Sequence, residues 1–276
     1  MSLLDTIANI LNAAGVHIHL VTSLQLFGLI FTRVATSFML VPFLGGPTVP
    51  GQIKVGLSVA VAAVLFPSLT QSANIVRVSA IVYLALLAKE AIVGAIIGFI
   101  AQVVFYGIQV AGILIDTQRG MNQITYLAPQ LPGHVSTLGN FKFQASIVLF
   151  LAIGGHLLFL RALAGSFTVL PILAMPHLRA GSLTLADSIA RISGSAIVIG
   201  LQLSAPIILA IFLVDVSFGC IGKVASQIRT SHDSNTVKAW VGLALFFLSA
   251  AFLFALLPGL FEATIHAISQ FTKSLA

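Results

Sequence analysis

Residues 78–122 read VSAIVYLALLAKEAIVGAIIGFIAQVVFYGIQVAGILIDTQRGMN. Up to Ile115 this run is apolar apart from the adjacent pair Lys89–Glu90. A helix that spans a bilayer needs about 20 mostly apolar residues. The run qualifies and predicts a membrane helix. Adjacent residues diverge on a helix, so Lys89 and Glu90 are expected to pair with other elements rather than with each other. Gly94-Ala-Ile-Ile-Gly98 is a Gly-x-x-x-Gly string, followed by Gly107 and Gly112. Such spacing lets helix backbones approach closely.

The end of the run carries the most information. Asp116 and Arg119 are three residues apart and can meet on one helical face. Facing lipid at mid-membrane would cost each about 2.5–3.5 kcal/mol, about 5–7 kcal/mol together. They must face protein, a water-filled path or the membrane edge. Gly120 and the polar residues Asn122, Gln123 and Thr125 favour a helix end there. Two readings follow from the residues alone: an ordinary aqueous loop, or a loop that lines or blocks a pathway.

Outward from this segment, further apolar stretches qualify as spans. Residues 20–44 hold one charge, Arg33; residues 55–76 hold none. Residues 143–175 hold only Arg161, residues 192–221 only Asp215, and residues 239–261 none. Asp215 needs a cation or donors nearby; Lys223, eight residues on, is two turns away, so a partner on another segment or subunit is expected. The whole chain is 58% hydrophobic and 7% charged, against roughly 25% charged in soluble domains. That excludes an ordinary soluble enzyme, a disordered chain and a coiled coil. It leaves an all-α, multi-helix membrane-associated protein, either a multi-pass membrane protein or a subunit buried in a large apolar assembly.

The net charge of +6 comes from singly scattered Lys and Arg, with no patch for nucleic acid. Cys220 is the single cysteine and leaves the redox compartment unreadable. No positive stretch precedes the first apolar segment, so no signal peptide is expected. Residues 1–14 place Leu3, Leu4, Ile7, Ile10 and Leu11 at helical spacing, an amphipathic helix on an interface or partner, or a short core helix. Breaks are expected at Gly45-Gly46-Pro47 and Pro50-Gly51, at Pro129, Pro132 and Gly133, at Pro171 and Pro176, and at Pro258-Gly259. Segment 222–238, with Lys223, Arg229, Asp233 and Lys238, reads as an aqueous loop.

Basic residues stand at most breaks, with Lys54, Arg77, Lys89, Lys142, Arg179 and Lys223 all near one, so loop charge does not fix an orientation. Either some stretches are half-spans that return to the same side, or the final location is not a simple bilayer-crossing bundle.

Enzyme constellations are missing from the sequence: no His-Glu-x-x-His, no cysteine pair, no phosphate-binding loop. His17 and His19 point to different sides of a helix and cannot share a metal. His156, in Gly154-Gly155-His156, is read as a packing or hydrogen-bonding residue. Neither a cofactor nor a metal is expected. A secondary transporter with Glu90, Asp116 and Asp215 as coupling carboxylates is a rival, but the inverted repeats it calls for are not visible.

The motifs in order resemble the SctT/FliR family (also called YscT and SpaR), export-gate subunits of type III secretion systems. The matching stretches are Pro42-Phe-Leu-Gly-Gly-Pro-Thr-Val-Pro50 with Lys54-Val-Gly-Leu-Ser58; Lys89-Glu-Ala-Ile-Val-Gly-Ala-Ile-Ile-Gly-Phe99; Gln109-Val-Ala-Gly112 through Asp116-Thr-Gln-Arg-Gly120; Gly154-Gly-His156; and Ala205-Pro206 leading to Leu213-Val-Asp215 and Gly219. Asp116-Thr-Gln-Arg-Gly120, Pro132-Gly-His-Val-Ser-Thr-Leu-Gly139 and Ser166-Phe167 look more like the injectisome branch than the flagellar one. Thr117 stands where that branch usually has Asn, Met121 where it has a small residue, Lys223 where the family often has Arg and Ser226 where Pro is common.

The resemblance implies one subunit domain over residues 1–276, with broken helical hairpins packed into a helical export-gate assembly, largely raised above the plane of the bacterial inner membrane. It implies partners like SctR/FliP, SctS/FliQ and SctU/FlhB, needle or inner-rod proteins, unfolded secreted substrates in transit, and membrane lipid. A plug loop maps onto about residues 115–127, with Ile115, Asp116, Thr117, Gln118, Arg119, Gly120, Met121, Asn122 and Tyr126 as its residues. Lys89, Glu90, Asp215 and Lys223 are expected as buried or assembly charges, and Gly94, Gly98 and Gly112 as packing positions.

Overall fold

The computed structural model describes residues 20–45, 49–70, 79–121, 136–175, 183–224 and 230–275. The amphipathic stretch 1–14, His17, His19, Arg77, Asn122, Tyr126 and Arg179 lie outside the described residues. Among the described residues the regular structure is helical: α1 (Leu20–Leu40), α2 (Pro42–Gly45), α3 (Gly51–Thr70), α4 (Ala80–Gln118), α5 (Thr137–Ala152), α6 (Gly155–Val169), α7 (Leu183–Val224) and α8 (Thr230–Leu275). The protein is an all-α membrane protein. Four helices are long and apolar enough to cross a membrane, or up to six spans if the bent pairs α5–α6 and the two halves of α8 each count as one.

Glycine and proline explain most boundaries. α4 ends in a Schellman turn. Gly120 has φ +77°, its N–H donates to the Thr117 carbonyl at 3.1 Å, and the Met121 N–H reaches the Asp116 carbonyl at 3.1 Å. Gly154, at φ +76°, separates α5 from α6. Pro171 follows the end of α6, as expected.

Three sequence expectations are corrected. Pro258 does not end the last helix: α8 continues to Leu275. The bend falls between Ser249 and Phe254, just before the residue four back from Pro258, where the proline ring crowds the carbonyl. Pro67 and Pro206 likewise sit inside α3 and α7, which an apolar helix tolerates when neighbours absorb the lost bond. Segment 222–238 is not one loop: α7 runs to Val224 and α8 starts at Thr230. Lys89 does not mark a break, since it lies within α4, whereas Lys54 and Lys142 fall in the first two turns of α3 and α5.

The chain forms two compact units. The first comprises, of the described residues, 20–45, 49–70, 79–102, 157–175 and 265–275. Here Gly94 and Gly98 of α4 lie against α1: a Cβ at Gly94 would strike Thr36 Oγ1 and the Arg33 carbonyl, and one at Gly98 would sit 2.7 Å from the Ser37 carbonyl. The Ser37 hydroxyl donates across this seam to the Gly94 carbonyl at 2.9 Å. Phe159 of α6 meets Phe38 and, edge-on at 5.3 Å, Phe43. α3 also packs on α1, but buries only Ser58 and Ala62. Its Ile53 and Val64 are 59% and 76% exposed, so most of a largely apolar helix awaits lipid or protein.

The second unit comprises 103–121, 136–156, 183–224 and 230–264 of the described residues. Ile115 of α4, Leu138 of α5, Ile207 and Ile211 of α7 and Phe246 of α8 form its apolar core. Phe105, Phe150 and Phe261 add an aromatic trio with centroids 4.6–5.3 Å apart. α4 and α5 touch backbone to backbone: a Cβ on Gly112 would lie 2.5 Å from Gly139 Cα.

Candidate functional site

Each unit holds one buried polar cluster. In the first unit it begins at Arg33, which is fully buried in α1. The Arg33 guanidinium makes a two-pronged contact with the Glu90 carboxylate: Nε donates to Oε2 and Nη2 donates to Oε1 at 3.0 Å. Its remaining donors reach Ser166 Oγ at 3.1 Å and the Leu170 carbonyl at 3.0 Å. Its planar face lies 4.1 Å from the Phe167 ring centroid. Four hydrogen bonds and a ring face surround the guanidinium, the kind of pairing under which a buried arginine is tolerated.

Lys89 completes the cluster and corrects the sequence expectation for the pair. Its ammonium does reach its neighbour Glu90, 2.7 Å from Oε1. It also donates to the carbonyls of Pro171 (3.2 Å), Ile172 (2.7 Å) and Ala174 (3.0 Å). A lysine stem is long enough to curl back where the two Cβ vectors diverge. The cluster has two cations and one carboxylate. The surplus positive charge faces the C-terminal end of α6 and the carbonyls just beyond it, where the helix dipole is negative. In the sequence Arg33 stands only as the one charge of residues 20–44 and Ser166 only in the Ser166-Phe167 string, and neither points to Glu90. The scarcity of charge in both apolar runs is the available signal.

In the second unit the cluster gathers at Asp116, in the last turn of α4 and 3% exposed. One carboxylate oxygen accepts from Arg119 Nη1 at 3.2 Å. The other accepts from Ser136 Oγ at 2.7 Å and from the Leu138 N–H at 2.9 Å. Ser136 in turn caps α5, accepting from the Gly139 N–H at 2.8 Å. Asp116 thus acts as a second, anionic cap on a helix that is not its own. Arg119 donates from Nε and Nη2 to the Ala239 carbonyl of α8 at 3.2 and 3.0 Å. The end of α4, the start of α5 and the first turns of α8 are tied through two side chains.

The other expected residues separate around this cluster. Ile115 is fully buried in the core, and Ile115–Gln118 are the last turn of α4 rather than loop. Thr117 and Gln118 are exposed, while Gly120 and Met121 are half-buried. Asp215 has an inter-helical partner, Lys238 Nζ at 2.9 Å, and is itself partly open. Lys223 is exposed; of the four residues expected as buried or assembly charges, this chain itself encloses Lys89 and Glu90. Gly94, Gly98 and Gly112 stand at close helix approaches. His156 Nδ1 is buried and has no hydrogen-bond partner among the described residues. Ser136, Ala239 and Lys238 are contacts that sequence spacing did not reveal. Among the described residues no three His, Cys, Asp or Glu side chains gather as for a metal.

The geometry is that of an apolar helical membrane protein whose scarce charges clamp helix ends. A family described as bacterial export proteins, family 1, matches residues 24–264, and the chain belongs to this SctT/FliR family of export proteins, which is not by its name a family of enzymes. It is 26% identical over 243 residues to the flagellar biosynthetic protein FliR of Bacillus subtilis, covering 88% of this chain and 92% of that one. It is 27% identical over 220 residues to the Yop proteins translocation protein T of Yersinia pestis, covering 79% and 83%. It is 24% identical over 225 residues to the surface presentation of antigens protein SpaR of Shigella sonnei, covering 80% and 84%. Identity to the flagellar and the secretion relatives is alike.

Proposed function

We propose that this chain is a wall and gate subunit of a type III protein export apparatus in the bacterial inner membrane, acting as one subunit over residues 1–276. It carries no reaction. It lines part of a conduit through which unfolded substrates, needle or inner-rod proteins pass, driven by the cytosolic ATPase and the proton-motive force. SctR/FliP-, SctS/FliQ- and SctU/FlhB-like subunits are its neighbours. The Asp116-Thr-Gln-Arg-Gly120 string favours the injectisome branch.

The observation that carries this reading is the Asp116–Arg119 clamp. It fixes both ends, Gly120 and Ser136, of the segment that joins α4 to α5. A seal across a conduit needs such a rigid frame. In this account Asp116 and Arg119 hold the frame, Gln118 adds a polar contact, Gly120 makes the turn, and Met121, Asn122 and Tyr126 form the obstruction. Glu90 and Asp116 are both saturated by cations and donors, which disfavours them as coupling carboxylates of a solute transporter.

Gly120→Val tests the gate. Its φ of +77° is a left-handed conformation that a side chain occupies only at a cost of about 1–2 kcal/mol, and a β-branched one more. Cells carrying it should leak ions or lose secretion while the subunit still accumulates in the membrane. Tight membranes together with normal secretion would oppose the gate assignment.

A further inference from the structure

We propose that the ammonium of Lys142 is the docking point for a carboxylate side chain of a neighbouring polypeptide in the assembled apparatus, an inference that rests on the assembly reading above. Four cations are buried among the described residues: Arg33, Lys89, Arg119 and Lys142. The first two share Glu90 and the third holds Asp116. Lys142 is 4% exposed and has neither a carboxylate nor a hydrogen-bond acceptor among the described residues. What it meets is the face of Phe246, 5.2 Å from its ammonium.

Among the acids of the same unit whose side chains are described, which leaves out Asp233, three are already engaged. Asp116 serves Arg119, Ser136 and Leu138; Asp215 pairs with Lys238; Asp187 pairs with Arg191. Glu262 is exposed on α8 and makes no ion pair with Lys142. Phe246 belongs to the apolar core with Ile115, Leu138, Ile207 and Ile211, which offers the ammonium no polar atom. Cation–π attraction does not replace hydrogen bonds lost on burial, so an ammonium this far enclosed calls for an anion.

The position can be reached. The Phe246 ring touches those of Phe141 and Phe247, at 5.7 Å in each case. These two are 56% and 63% exposed, so Lys142 lies one aromatic layer beneath an apolar surface. A four-carbon stem can carry its ammonium outward past that layer. One cation beside a buried phenyl group that carries two exposed ones matches a partner helix that presents a single acid within an apolar face. Anionic lipid headgroups are typically held by clusters of Lys and Arg, and Lys142 stands alone.

The experiment uses the full chain, purified in mild detergent with the export-apparatus subunits encoded beside it. A carbodiimide joins an amine only to a carboxylate in contact with it. Treated wild-type complex should yield a Lys142 peptide linked to an Asp or Glu peptide of another chain. Lys142→Arg, which keeps the charge, should assemble normally; Lys142→Met should reduce recovered complex by roughly tenfold or more. A Lys142 link confined to this chain's own acids overturns the proposal. So does no Lys142 link at all, whether or not Lys142→Met assembles. So does a bound anionic phospholipid, seen by native mass spectrometry, that disappears in Lys142→Met. If the wild-type chain itself assembles with no neighbour, the export-apparatus reading is what fails.

Discussion

At the scale of single residues, Glu90 carries the most weight. It is the sole carboxylate for two buried cations, held by α1 and by the segment after α6. Removing one partner of a buried ion pair leaves an uncompensated charge and typically costs 3–5 kcal/mol. Glu90→Gln should therefore lower stability by about 3–5 kcal/mol, read as loss of folded subunit in thermal unfolding of the detergent-solubilised protein. Replacing Arg33 and Glu90 together by Met should recover much of that loss, because the unpaired Arg33 goes with its partner. If Glu90→Gln and wild type unfold alike, the pairing is not structural. The sequence pointed to a partner for Glu90 on another element and showed Arg33 as the one charge of its apolar run, where a charge is expensive. It could not join them, because the two are 57 residues apart and no local rule links that distance. Lys142 was harder still. One lysine near Asn140 looks like the edge of a loop, and only packing shows it enclosed beside Phe246.

At the scale of elements, small residues decide how closely helices approach. Gly112 faces the Gly139 backbone at a virtual Cβ distance of 2.5 Å, so no side chain fits without separating α4 from α5. Gly112→Val should cost about 1–3 kcal/mol as overpacking. It should also loosen the Asp116–Leu138 hydrogen bond one turn further on, measured as faster amide exchange at Leu138. Unchanged exchange would show that the two contacts are independent. Helix existence was legible from apolar runs of adequate length, and the end of α4 was legible at Gly120; the break at Gly154, inside the apolar run 143–175, was not. Proline misled at Pro258, because the break rule comes from water, where a freed carbonyl is readily hydrated. In an apolar surrounding the helix keeps its remaining bonds and bends instead. The polar stretch before Trp240 misled in the opposite sense: polar residues in the first turns of a long helix look like loop until the helix beyond them is seen. The Asp116–Arg119 contact was predictable from i,i+3 spacing, but the cap on α5 was not, since it bridges two elements.

At the scale of the whole molecule, the exposed surface is what an isolated chain should not have. α3 buries little more than one stripe, and Leu209, Phe212 and Leu213 of α7 are 60–65% exposed. At roughly 25 cal/mol per Å² of apolar surface, such faces drive association with lipid or with other subunits. Composition alone conveyed this need for a partner surface; it could not say which, and the family resemblance supplied the expectation of an assembly. The most direct measurement of that claim is native mass spectrometry of the tagged chain, co-expressed with the small hydrophobic proteins encoded beside it and extracted in mild detergent. The account predicts a defined multi-subunit particle that contains one copy of this chain. A stable monomer or homodimer with no other subunit bound would contradict it.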